Sequence, residues 1–155
     1  MRTDILKRTF VLVSLIILFL IISFYSKKPL EEKIIHFSSD ARNITLLVKI
    51  ADTEESRNAG LMFVSELDED EGMLFVYPDE KERMFWMKNT LIPLDMIFVS
   101  ANETVVHVFE NAVPCEKDPC ETHYSKHPAM YVIEANAGFA ARNKILAGDR
   151  LMNIY

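Results

Sequence analysis

Four thiol and imidazole side chains fall within thirteen residues: Cys115, Cys120, His123 and His127. Their order, C-x4-C-x2-H-x3-H, offers a set of ligands that zinc accepts, although the spacing is not that of a standard finger. The same cysteines are the chain's only two, and in an oxidising compartment they can pair with each other. Free thiols are the third reading. The acids Glu116, Asp118 and Glu121 and the prolines Pro114 and Pro119 suit a loop, where histidines are ordinarily solvated. The disulfide is therefore taken first, and no metal is assigned.

Two carboxylates lie in apolar surroundings. Asp95 stands between Leu94 and Met96, and Glu134 lies within Val132-Ile133-Glu134-Ala135. On a strand such a group is costly unless paired. Brought to an open cleft roughly 5–9 Å apart, the two would form an acid–base pair suited to glycoside cleavage. The plainer reading is that they pair with Arg57 or Lys88 or cap turn amides. Lys88-Asn89-Thr90 is itself a polar insert between apolar runs. Arg57, Lys88 and Asn89 beside the Trp86 ring, with Asp95 close by, would line a shallow pocket for an oxygen-rich ligand such as a sugar or carboxylate.

The remaining motif classes are missing. There is no Gly-x-Ser-x-Gly elbow, phosphate-binding loop, His-Glu-x-x-His or dinucleotide fingerprint. Met84 and Met87 have a spacing that thioether binding of Cu(I) would use. On a strand, however, they point to opposite faces, and methionine is a common core filler. No cofactor is expected.

Charge is unevenly distributed. Residues 1–30 carry five basic side chains against Asp4, whereas residues 31–155 carry 12 basic against 22 acidic ones. A domain with a net charge of −10 repels phosphate backbones, which argues against nucleic acid as a partner. Thr9 to Ser26 contains no charge. As a helix those 18 residues would span roughly 27 Å against a hydrocarbon core of about 30 Å, and Arg8 and Lys27 can snorkel. The exit, Ser23-Phe24-Tyr25-Ser26, places aromatics where a signal-peptide cleavage site needs small residues. Residues 9–26 therefore read as a retained single-pass membrane segment.

Its orientation is close to a tie on charge, with Arg2, Lys7 and Arg8 before it and Lys27, Lys28 and Lys33 after it. The cysteine pair and the sequons Asn43-Ile44-Thr45 and Asn102-Glu103-Thr104 favour an extracytoplasmic C-terminal domain.

After a charged linker, short β-like runs alternate with turn signals. Ile44, Leu46, Val48 and Ile50 have the period of a half-buried strand. Asp52, with Glu55 three residues on, opens a short helix towards Asn58 and Gly60. Further strands are expected at residues 73–77, 83–88, 94–99, 104–109, 130–135 and 150–154, and a second short helix at 137–145.

Several runs carry a family resemblance. They are Arg57-Asn58-Ala59-Gly60-Leu61-Met62-Phe63, Gly72-Met73-Leu74-Phe75, and above all Phe85-Trp86-Met87-Lys88-Asn89-Thr90-Leu91-Ile92-Pro93-Leu94-Asp95. Pro114-Cys115, Pro119-Cys120, Tyr131-Val132-Ile133-Glu134-Ala135-Asn136-Ala137-Gly138 and Gly148-Asp149 follow in order. Over about residues 44–155 the chain resembles the domain of unknown function 192 family. The resemblance implies a compact, mostly β fold of sandwich or jelly-roll type, often exported or membrane-attached, and implies no activity. Ser56 departs from the pattern, because members often carry an acid before the arginine.

The combined expectation is a membrane anchor or uncleaved signal over residues 1–26, a linker over 27–40 and a β-rich domain over 41–155. The domain would be a small β-sandwich or partly closed barrel with two short helices. Its partners would be the membrane through residues 9–26 and a small polar ligand or an envelope protein. A binding or accessory module is the leading function, and a small extracytoplasmic hydrolase acting on carbohydrate-like substrates is the alternative.

Overall fold

The computed structural model describes residues 10–19, 29–39 and 42–154. Two units are distinguished, Met1–Leu30 and Glu31–Tyr155. In the first, residues 10–19 are helical (α1) with exposed apolar side chains. The remainder of the expected 9–26 segment lies outside the described residues. Among the described residues, no helix is long and apolar enough to cross a membrane.

The second unit is mostly β. Its strands are β1 (Glu32–Ser39), β2 (Arg42–Ala51), β3 (Glu71–Lys81), β4 (Met84–Trp86), β5 (Leu94–Val99), β6 (Val105–Ala112), β7 (Thr122–Tyr124), β8 (Ala129–Asn136) and β9 (Arg150–Met152). Helix α2 (Glu54–Ala59) lies between β2 and β3, and α3 (Phe139–Asn143) follows β8. Seven strands form one sheet in the order β6-β5-β8-β3-β2-β1-β9, while β4 and β7 pair separately. The β2–β3 pairing is parallel, with α2 in the crossover, and the other strand pairs are antiparallel.

The large sheet curls into a half-barrel whose edges meet. Val105 N–H donates to Asp149 O (2.9 Å), Gly148 N–H to Val105 O (2.8 Å) and Leu151 N–H to Glu103 O (2.8 Å). One apolar cluster draws on all seven strands, including Phe37, Leu46, Leu74, Ile97, Val105, Ile133 and Leu151, and so fills the inside of the curl. The second cluster coats the outer face: Met73, Phe75, Met96, Phe98 and Val132 pack beneath Leu61, Phe85 and Met87. Apolar cover on both faces explains why β5 is buried at every position and, Asp95 apart, apolar throughout instead of alternating. A partly closed barrel, not a sandwich of two large sheets, is the form adopted.

The linker expected over residues 27–40 needs correction, because Glu32–Ser39 is the strand β1. Ile35 and Phe37 are fully buried there. Charges at Glu31, Glu32 and Lys33 mask the short alternation that follows them. The segment just after Cys120 also holds an unexpected strand, β7. At α2 the cap is Thr53, not Asp52. Thr53 Oγ1 accepts from Ser56 N–H (3.1 Å) and Ser56 Oγ accepts from Thr53 N–H (3.0 Å), so the residue that departs from the family pattern completes the capping box.

Candidate functional site

The register of β3 on β8 sets the floor of an open pocket. Met73 lies opposite Glu134 and Phe75 opposite Val132, so these side chains share the outer face, and alternation along β3 brings Tyr77 to the same side. Helix α2 forms one wall. It ends at Gly60, whose φ of 48° suits glycine and which lies over the Phe75 ring; an added Cβ would make an ordinary 3.4 Å contact with that ring, so the backbone angle is what favours glycine. The β4–β7 ribbon forms the other wall. Phe85 turns in, edge-on to Phe75 at 5.1 Å, which leaves its neighbours Met84 and Trp86 exposed. The resulting cavity has a volume of about 880 Å³, with Arg57, Phe75, Tyr77, Phe85, Trp86 and Glu134 among its lining.

Glu134 is 5% exposed, and among the described residues its carboxyl has no hydrogen-bond or ion-pair partner. Burial pushes its pKa up to about 8, so it is mainly neutral at pH 7. Arg57 is held in place by its own hydrogen bonds, Nη1 donating to Asp52 O (2.5 Å) and Val76 O (2.8 Å). Its guanidinium lies 5.1 Å from the centre of the Tyr77 ring, and that of Arg83 lies 3.8 Å from it. Arg83 is tied to Ala129 O (2.9 Å) and Asp79 Oδ1 (2.8 Å). Burial raises the Tyr77 phenol, while Arg83 and Arg57 oppose that rise.

Of the residues singled out in the sequence, Arg57, Trp86 and Glu134 are brought together here. The others are not. Lys88 Nζ pairs with Asp118 Oδ2 at 3.0 Å on the surface. Asn89 has a left-handed backbone (φ 58°), and its carbonyl accepts from Phe63 N–H (2.8 Å), joining the segment after α2 to the turn after β4. Asp95 is fully buried on the opposite face of the sheet, accepting from Asn111 N–H (2.8 Å) and Ala140 N–H (2.9 Å). The acid–base pair of Asp95 with Glu134 is therefore not assembled. The register forbids it: Asp95 lies opposite Ala135 and Met96 opposite Glu134, so the two carboxylates point through different faces.

Cys115 and Cys120 form a disulfide, leaving neither free for a metal. Among the described residues, no group of three or more candidate ligands could hold an ion. His123 is buried against Phe109 (ring centres 4.1 Å apart), and burial lowers its pKa. Met84 is exposed on β4, while Met87, just past the end of that strand, is buried, so the two thioethers do not share a surface. Sequence reasoning missed Phe75, Tyr77 and Phe85 as pocket residues. The signal was present in the odd-numbered phase Met73, Phe75, Tyr77, but only the fold shows that this phase faces a cavity.

Residues 35–153 match the DUF192 family model, described as Uncharacterized ACR. No curated protein matches the chain. A crystal structure of a protein from Sinorhizobium meliloti 1021, described as a candidate transcription regulator, is similar with a TM-score of 0.76 and 34% identity. The match covers 82% of this chain and 97% of that one. A protein of unknown function from Novosphingobium aromaticivorans DSM 12444 is similar with a TM-score of 0.75 and 31% identity, covering 83% and 94% of the two chains. With a family match over residues 35–153 and a fold shared with relatives above 30% identity, this chain belongs to the DUF192 family.

Proposed function

We propose that residues 31–155 form a binding or accessory module that takes a small polar ligand in the pocket between α2, β3 and the β4–β7 ribbon. The observation carrying this reading is Glu134, a buried residue at the floor of an open cavity whose carboxyl is engaged by no hydrogen bond or ion pair among the described residues. Such a group costs stability and is ordinarily replaced or paired when it serves packing alone. Aromatic walls with one polar group at the floor are the usual composition of a small-ligand site. The hydrolase alternative loses its basis with the Asp95–Glu134 pair.

The proposed setting is the extracytoplasmic side of a membrane, with residues 9–26 as the anchor. The uncharged run Thr9 to Ser26 and the Cys115–Cys120 disulfide support it, since structural disulfides persist mainly outside reducing compartments. The regulator description of the Sinorhizobium protein is not carried over. A net charge of −10 over residues 31–155 disfavours direct contact with nucleic acid.

Trp86 supplies the test. It is the chain's only tryptophan, lines the pocket and is 52% exposed. Titrating the full-length chain with small cations, anions and sugars should give a saturable change in tryptophan fluorescence for one class. The same class should raise the melting temperature, and Glu134→Gln or Trp86→Phe should weaken its binding. Fluorescence and melting temperature unmoved by every class would end the proposal.

A further inference from the structure

The charge arrangement within the pocket goes further than its shape. Glu134 shares the cavity with Glu54 and Arg57 of α2 and with Tyr77, Asp79 and Lys81 of β3. The wall residues from the ribbon, Met84, Phe85, Trp86 and Thr122, carry no charge. Both cations are engaged elsewhere: Lys81 pairs with Asp79 at 2.5 Å, and Arg57 is bound to backbone carbonyls. Among the described residues neither forms an ion pair with Glu134, so its carboxylate has no direct cationic partner there when it ionises. Phe75, Phe85 and Trp86 line the same space, and ring faces attract cations; the Tyr77 ring already has Arg57 and Arg83 against it.

From this arrangement we infer that the pocket receives an organic cation, an alkylammonium group whose charge meets the Glu134 carboxylate while its carbon chain lies against the aromatic walls. The inference rests on the binding reading above and adds the class of ligand. An anionic ligand would face the acid at the floor, with Lys81 paired to Asp79 and Arg57 Nη1 donating to two backbone carbonyls. A neutral sugar would leave the ionised carboxylate uncompensated. An ammonium group supplies the missing partner directly.

Binding must then be coupled to a proton. The empty site holds Glu134 neutral at pH 7, so a cation that pairs with its carboxylate displaces one proton. Affinity should rise about tenfold per pH unit up to about pH 8 and level off above it, while the ligand amine stays charged to about pH 10.

Calorimetric titration of the full-length chain with butylammonium and tetramethylammonium, beside butyrate and glucose, tests this. The expected result is saturable binding of at least one of the two cations, release of about one proton per cation at pH 7, and at least a tenfold loss in Glu134→Gln at about pH 8.5. The melting temperature of E134Q reports whether that variant is folded, and W86F gives a second, milder perturbation of the wall that should weaken cation binding. Cation binding unchanged in folded E134Q, or affinity that falls as pH rises, overturns the assignment. Butyrate or glucose binding with neither cation doing so overturns it too but leaves the pocket as a ligand site. No binding by any probe overturns both.

Discussion

Asp95 and Glu134 sit on hydrogen-bonded neighbouring strands, one register step apart, and face opposite sides of the sheet. One is spent on structure and the other is not. Asp95 accepts two backbone N–H groups, one from the end of β6 and one from α3, and so ties the helix to the closed face of the barrel. Glu134 opens onto a cavity, and among the described residues no hydrogen bond or ion pair engages its carboxyl. Two acids that look alike in the sequence thus have unrelated roles.

Replacing Asp95 by Ala should destabilise the fold by about 3 kcal/mol, because two N–H groups lose a charged acceptor at a fully buried position. Urea denaturation measures the loss. Ligand binding in the outer pocket should persist under conditions where the variant is folded. A loss below about 0.5 kcal/mol would show that water or neighbouring groups replace Asp95.

Glu134 should make stability depend on pH with a definite sign. Its folded pKa is raised to about 8 from 4.5, so the folded chain holds a proton that the unfolded chain releases within that window. The stability contributed by the neutral acid is present below about pH 4.5 and lost as pH rises through about 8, by up to ~1.4 kcal/mol per unit. Glu134→Gln should flatten this component. The variant's advantage over the parent protein should therefore grow between about pH 5 and pH 8 and level off above. An advantage independent of pH would contradict the ionisation argument.

The Cys115–Cys120 bridge closes a six-residue loop that also carries Asp118, the partner of Lys88. On the chain-entropy account, a loop of this size contributes about 2 kcal/mol. Reduction, or the double change Cys115→Ser with Cys120→Ser, should lower the melting temperature without unfolding the barrel. Intact mass before and after reduction checks the bridge itself; material from an oxidising compartment that showed two free thiols would remove this prediction's premise.

Gly72 should tolerate no side chain. A Cβ there would lie 2.5 Å from the Glu134 carbonyl oxygen and 3.1 Å from Leu46 Cδ2. The first contact is with backbone, so relief requires β3 and β8 to separate beside the pocket floor. Gly72→Ala is expected to cost about 2 kcal/mol or more, visible in denaturation, and to weaken binding at Glu134. A neutral effect would mean that the two strands yield locally.

Much of the fold is legible in the sequence. Strands near residues 44–50, 94–99 and 130–135 follow from alternation or from apolar runs bounded by turns, and the motif run from Phe85 to Asp95 pointed to the family. The limits of legibility are equally specific. β1 was hidden because its neighbouring charges resemble a linker. Asn89, inside the most distinctive motif, suggested a ligand donor, yet it serves the turn through a left-handed backbone and its carbonyl.

What the sequence by itself determined is local or compositional: the uncharged run from Thr9 to Ser26, the acidic domain, the β-rich class and the presence of two embedded carboxylates. These depend on residue types and on spacings of a few positions. What only the tertiary structure decided is which groups meet. Strand register, which brings Met73 opposite Glu134 and Asp95 opposite Ala135, is set by pairing between segments dozens of residues apart. A shift of one residue would have exchanged the two faces. The sequence contained both acids, but only the folded sheet turned one towards the backbone amides and left the other facing the pocket.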